Sequence, residues 1–146
     1  MTLDDVRWGR CDIKSLNLLG NVLARQRAKE AGAFEAILIR DGLVTEGSVS
    51  NVMVVRKGVL RTAPEGPKIL SGVTRTLVLE VARKQGIQVQ ESYVSREELF
   101  EASEVLLTGT TVEILSVVRI DDRPIGDGVP GSVSKALMRG WESLIG

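Results

Sequence analysis

The chain has 146 residues, with 19 Lys+Arg against 19 Asp+Glu, one cysteine and no histidine. That length suits one domain with its own core, and zero net charge argues against a nucleic-acid binder, whose affinity rests on a basic face. The composition excludes imidazole catalysis, histidine-ligated metal, an internal disulfide and a thiolate cluster, and the single Cys11 suits a reducing cytoplasm.

The N-terminal run Met1 to Arg7 is acidic and lacks the apolar core of a signal peptide. No apolar run nears the roughly 20 residues of a membrane span. Ser15 to Ala31 reads as a helix, with Ser15 as N-cap, Leu16, Leu19 and Leu23 in one apolar stripe, and Gly32 as the stop. Phe34 to Ile39 reads as a buried strand. Asp41-Gly42 turns it into a second strand through Leu43 and Val44. Asn51 to Arg56 is a strand that turns at Lys57-Gly58 into Val59 to Arg61, and Pro64 and Pro67 mark a loop.

A helix from about Thr74 to Lys84 buries Leu77, Val78, Val81 and Ala82 and stops at Gly86. Ile87 to Glu91 is the next strand. Ser95 then caps a short helix over Arg96 to Phe100, with Glu98 completing a capping box. Glu104 to Leu107 leads as a strand into Thr108-Gly109-Thr110-Thr111. Glu113 to Ile120 and Arg123 to Ile125 flank a turn at Asp121-Asp122, and Ser132 to Leu144 closes the chain as a helix. The expectation is a single mixed α+β domain over residues 1–146, with strands in hairpins and helices outside.

Four segments carry candidate chemistry. Lys14 stands just before an apolar helix, where loss of water would favour the neutral amine that attacks carbonyls; alone it reads first as a solvated lysine. Glu46 follows a strand and precedes Ser48, Ser50 and Asn51, where a carboxylate can hold a protonated ring nitrogen, though alone it reads first as an exposed loop carboxylate. Leu70-Ser71-Gly72-Val73-Thr74-Arg75 runs into a helix whose free amides suit phosphate, or is an ordinary helix start. Thr108-Gly109-Thr110-Thr111 is a second phosphate-type turn or a plain hydroxyl-capped one. A lysine, a carboxylate and two such turns together describe a pyridoxal phosphate site.

Asp12-Ile13-Lys14-Ser15-Leu16-Asn17, Leu18-Leu19-Gly20-Asn21, Glu46-Gly47 with Ser48 and Asn51, Gly72-Val73-Thr74-Arg75 and Thr110-Thr111 occur in the order and spacing of class IV aminotransferases. The chain resembles the D-amino acid branch of that family from about Asp5 to its end. The resemblance implies the fold type IV architecture, with mixed, barrel-like strands and flanking helices, and pyridoxal 5'-phosphate as cofactor. It implies Lys14 as the catalytic lysine, Glu46 as partner of the pyridine nitrogen, and Leu70 against the ring. Gly72, Val73, Thr74 and Thr110 fall to the phosphate, Ser50 and Asn51 to the cofactor face, and Ser48 and Thr111 to the substrate side. Val49 and Gly109 depart from the small polar residue and serine expected at those positions.

The implied reaction is transamination between a D-amino acid and a 2-oxo acid in a cytoplasmic homodimer, with no nucleic acid and no membrane. Branched-chain aminotransferase and aminodeoxychorismate lyase share the same lysine and glutamate, and a non-catalytic dimerisation module is the reading from another class. This chain corresponds to the family's larger C-terminal domain. The N-terminal domain, about a hundred residues or more, has no counterpart here, as in a fragment or a shortened product. That domain supplies an arginine to the phosphate and the groups that hold the substrate carboxylate, so the expectation is little activity from the chain alone.

Overall fold

The structure is a computed structural model describing residues 1–146. In chain order its elements are β1 (Thr2–Asp4), α1 (Leu19–Glu30), β2 (Ile37–Arg40), β3 (Leu43–Gly47), β4 (Asn51–Arg56) and β5 (Val59–Thr62). There follow α2 (Val73–Lys84), β6 (Gln88–Glu91), α3 (Arg96–Phe100), β7 (Glu104–Gly109), β8 (Glu113–Val117), β9 (Arg119–Ile120), β10 (Arg123–Pro124) and α4 (Ser132–Ile145). The expected mixed α+β architecture holds.

A five-stranded sheet runs in the order β6-β5-β4-β7-β8, and a three-stranded sheet in the order β1-β2-β3. Both are mixed: β5–β6 and β1–β2 pair parallel, the remaining neighbours antiparallel. The apolar run of β4 follows from its central place, because both of its faces are covered. Val52 and Val54 point into one core with Val105 and Leu107 of β7 and Ile37, Ile39 and Val44 of the small sheet. Met53 and Val55 point into a second core with Leu106, Val78 and Leu79 of α2, and Leu137 and Trp141 of α4. The period-two alternation of the strand thus serves two cores at once.

The hairpin turns form at Asp-Gly and Lys-Gly as expected, with positive φ at Asp41, Gly42, Lys57 and Gly58, as primed turns require. The capping box of α3 is present: Ser95 Oγ accepts from the Glu98 amide at 3.1 Å, and the Ser95 amide donates to Glu98 Oε2 at 3.0 Å. The first strand, β1, is invisible to sequence patterning because three residues show no periodicity. It is held by parallel pairing to β2 across more than thirty residues of chain.

The first helix differs most from expectation. It begins at Leu19, not Ser15, and has no side-chain cap; Ser15 Oγ instead accepts from the Asn17 amide at 3.2 Å in a local turn. Its leucine stripe is not core. Leu16 is 98% exposed, Leu19 68% and Leu23 49%. The helix packs through Ala24 and Ala28 onto Ala36 and Leu38, because small side chains permit the close approach that its leucines would block.

Candidate active site

The turn between β3 and β4, the segment before α1, the start of α2 and the end of β7 converge on one cleft of about 920 Å³. The pairing of β4 with β7 fixes two of its walls, since Asn51 lies opposite Thr108 in the ladder.

Glu46 lines the cleft, buried at the end of β3. Its Oε2 accepts from Asn51 Nδ2 and from the Leu70 amide, both at 3.0 Å, and its Oε1 accepts from Arg7. Burial pushes the Glu46 carboxyl above the ordinary carboxylate range, against Arg7 and the Leu70 amide, which favour the ionised form. Arg7 is itself gripped from behind. Its Nε and NH2 donate to the two oxygens of Asp5 at 2.8 Å each, and NH2 also reaches the Lys68 carbonyl at 3.1 Å. Asp5 further takes Arg40 at 3.0 Å and the Thr45 hydroxyl at 2.9 Å. Two arginines and two carboxylates therefore neutralise one another in a buried network, the condition under which buried charge is tolerable.

The N-terminus of α2 also faces the cleft, where Gly72, Val73 and Thr74 line it. The helix has no side-chain cap. The contrast within the chain is informative. At α4 the buried Glu104 accepts from the amides of Val133 and Ser134 at 3.0 and 2.7 Å, and α3 has its capping box. The first amides of α2, like those of α1, have no side-chain acceptor, and the positive end of the helix favours an anion. Nearby, Thr108 Oγ1 is buried without a hydrogen-bond partner in the cleft wall. Gly72 is required by contact: a Cβ there would collide with Asn51 Oδ1.

The structure brings Lys14, Glu46, Ser50, Asn51, Leu70, Gly72, Val73, Thr74 and Thr110 to this one cleft. Ser48 and Thr111 do not line it. Ser48 turns away to donate to Glu35 at 3.2 Å, and Thr111 is exposed in the turn beyond β7. Ser50 lines the wall, but its hydroxyl also donates to Glu35, at 2.9 Å. The burial expected to activate Lys14 is absent: the residue is exposed, and only an occupant of the cleft would take it out of water.

Arg7, Asp5 and Glu35 are functional neighbours that sequence reasoning misses. The alternation of Asp5 and Arg7 after a short strand is the one signal for the first two. Glu35, placed between Phe34 and a run of small and branched residues, offers none. The Leu-Gly-Asn pattern at the start of α1 also gains a reason. Asn21 Nδ2 donates to the Ser48 carbonyl at 2.8 Å, and a Cβ at Gly20 would stand 3.0 Å from Arg7 Cγ. The helix start is thus docked onto the network that holds Glu46.

A family model for amino-transferase class IV matches residues 1–120. The chain belongs to the class IV aminotransferases. It is 50% identical over 145 residues to D-alanine aminotransferase of Bacillus licheniformis, covering 99% of this chain and 51% of that protein. It is 47% identical to D-alanine aminotransferase of Listeria monocytogenes over 137 residues, covering 94% of this chain and 47% of the relative. Among solved structures it matches the branched-chain amino acid aminotransferase of Thermobaculum terrenum in PLP form, with TM-score 0.89 and 31% identity, over 98% of this chain and 50% of that one. A second match, the branched-chain amino acid aminotransferase from Escherichia coli, has TM-score 0.86, 31% identity and coverage of 98% and 52%. The chain spans about half the length of the relatives it matches. No helix is long and apolar enough to cross a membrane, and no cluster of His, Cys, Asp or Glu has the makings of a metal site.

Proposed function

We propose that this chain holds pyridoxal 5'-phosphate in the cleft and forms the cofactor-bearing part of an aminotransferase acting on D-amino acids and 2-oxo acids. The observation that carries the proposal is that one cleft is lined both by a buried carboxylate and by groups suited to an anion. The carboxylate is Glu46, and the anion-suited groups are the uncapped N-terminus of α2 and the unpartnered Thr108 hydroxyl. The residues fit the group: the phosphate meets unsatisfied donors at α2, and the cradle above Asn51 is one that a Cβ at Gly72 would fill.

When bound, the cofactor supplies a protonated pyridine ring that draws electron density from the substrate α-carbon. Glu46 holds the ring proton. Its Oε2 already has two donors and its Oε1 one, so Oε1 is the atom with an acceptor position to spare. Lys14 carries the amine that attaches the cofactor and moves the α-proton. Leu70 would give the ring an apolar contact and the Val73 and Thr74 amides with the Thr110 hydroxyl would hold the phosphate, while Asn51 keeps Glu46 and Leu70 in place. D-amino acids are favoured over branched-chain substrates by 41–50% identity to D-alanine aminotransferases, against 31–33% to branched-chain enzymes of known structure.

Titration of the chain with PLP, followed by visible absorption, tests the cofactor reading. A band from lysine-bound PLP that is lost in Lys14→Ala, with the circular dichroism unchanged, is expected. A colourless protein at millimolar PLP overturns the reading in favour of a non-catalytic module. A panel of D- and L-amino acids, assayed on the chain within a protein of its relatives' length, tests the substrate.

A further inference from the structure

We propose that Glu35 is the positioning residue of the cofactor site: it grips the Gly47–Asn51 turn from behind and so sets Glu46 against Asn51. The proposal rests on the cofactor reading above for its effect on PLP, though not for its structural part.

Glu35 is buried just before β2, outside the core clusters. Its Oε1 alone accepts three hydrogen bonds: from the Val49 amide at 2.8 Å, the Ser50 hydroxyl at 2.9 Å and the Ser48 hydroxyl at 3.2 Å. Its Oε2 is buried and has no partner. A carboxylate is costly to bury, and one whose bonds all go to three consecutive residues is spent on holding that turn. A residue that merely filled the space would be apolar.

The backbone repeats the grip. The Ser48 amide donates to the Ala36 carbonyl at 3.0 Å, and the Gly47 amide to the Ser50 carbonyl at 2.7 Å. The fit leaves no slack, since a Cβ at Gly47 would stand 2.5 Å from Glu35 Oε1 and closer still to Ser50 Oγ. The held turn begins one residue after Glu46 and ends at Asn51, and these two are bonded to each other across it at 3.0 Å. Glu35 itself is absent from the cleft lining, so it reaches the cleft only through the turn.

The test uses Glu35→Ala and Glu35→Gln, with amide exchange over residues 47–51 and the PLP dissociation constant as readouts. Glu35→Ala is expected to speed exchange in the turn at least about tenfold and to weaken PLP by about tenfold, the loss of the acceptor that anchors the turn. Glu35→Gln, whose amide oxygen can take the place of Oε1, is expected to return both to within about threefold of the parent. Unchanged exchange in Glu35→Ala overturns the proposal, and so does unchanged PLP affinity in a folded Glu35→Ala. Failure of Gln to rescue also overturns it, because charge and not position would then be the cause. If Glu35→Ala does not fold, Ser48→Ala decides: faster exchange with weaker PLP supports the grip, and parental values for both refute it. The exchange measurement needs no cofactor. A parent chain without the lysine-bound band therefore overturns the cofactor reading alone, while exchange still decides what Glu35 holds.

Discussion

Arg7 donates to Glu46 with one edge of its guanidinium while Asp5 holds the other edge, so the orientation of the carboxylate depends on a residue outside the cleft. Replacing Arg7 with Ala leaves the buried Glu46 without a cation and Asp5 with Arg40 alone. The expected cost is about 3–5 kcal/mol in urea unfolding, with loss of the PLP band. Arg7→Lys recovers little, because a single ammonium cannot meet Asp5, Glu46 and the Lys68 carbonyl together.

The same network sets a pH dependence. Burial works to raise the Asp5 carboxyl, but the hydrogen bonds and charge of Arg7 prevail and hold it down to about 2, from an ordinary value of 3.8. A depressed folded-state value means stability that is present above about pH 4 and drains away as the pH falls through about 2. The expected loss across that window is about 2 kcal/mol, read as a falling urea midpoint. Asp5→Asn removes this component and lowers stability at neutral pH.

Helix starts give paired predictions. Ser95→Ala breaks the capping box of α3 and should cost about 1 kcal/mol without affecting PLP affinity, since it lies outside the cleft. Gly72→Ala has ordinary backbone angles for any residue, so its effect is purely steric, against Asn51. It should abolish the PLP band while the far-ultraviolet circular dichroism stays that of the parent.

The exposed leucines make a prediction in the other direction. Leu19→Lys and Leu23→Lys should each shift unfolding of this chain by no more than about 0.5 kcal/mol, because neither side chain packs into a core here. A loss of about 2 kcal/mol or more in denaturant melts would place the stripe in a core after all.

What the sequence disclosed follows a physical line. Two turns and one cap were legible because their signals are local: Asp41-Gly42, Lys57-Gly58 and the Ser95–Glu98 box each need only neighbours, while the Ser15 cap did not form. Lys14, Glu46 and the start of α2 are weak signals singly and take their expected roles from the resemblance; the structure brings them to one cleft. The Asp5–Arg7–Glu46 network and the grip of Glu35 were not, because each joins residues far apart in the chain whose types are ordinary on a surface. The stripe on α1 misled for a related reason. Periodicity reports which residues share a face and is silent on what meets that face.

The pairing of Asn51 with Thr108 bears on when the site comes into being. These two walls belong to neighbouring strands that lie far apart along the chain, and a one-residue slip would turn each to the opposite side of the sheet. The cleft is therefore a property of strand register, and no isolated hairpin or helix possesses it. Non-local pairings of this kind form late and slowly. Ligand competence should accordingly emerge with the last phase of refolding, which makes the cofactor a reporter of completed folding and not a template for it.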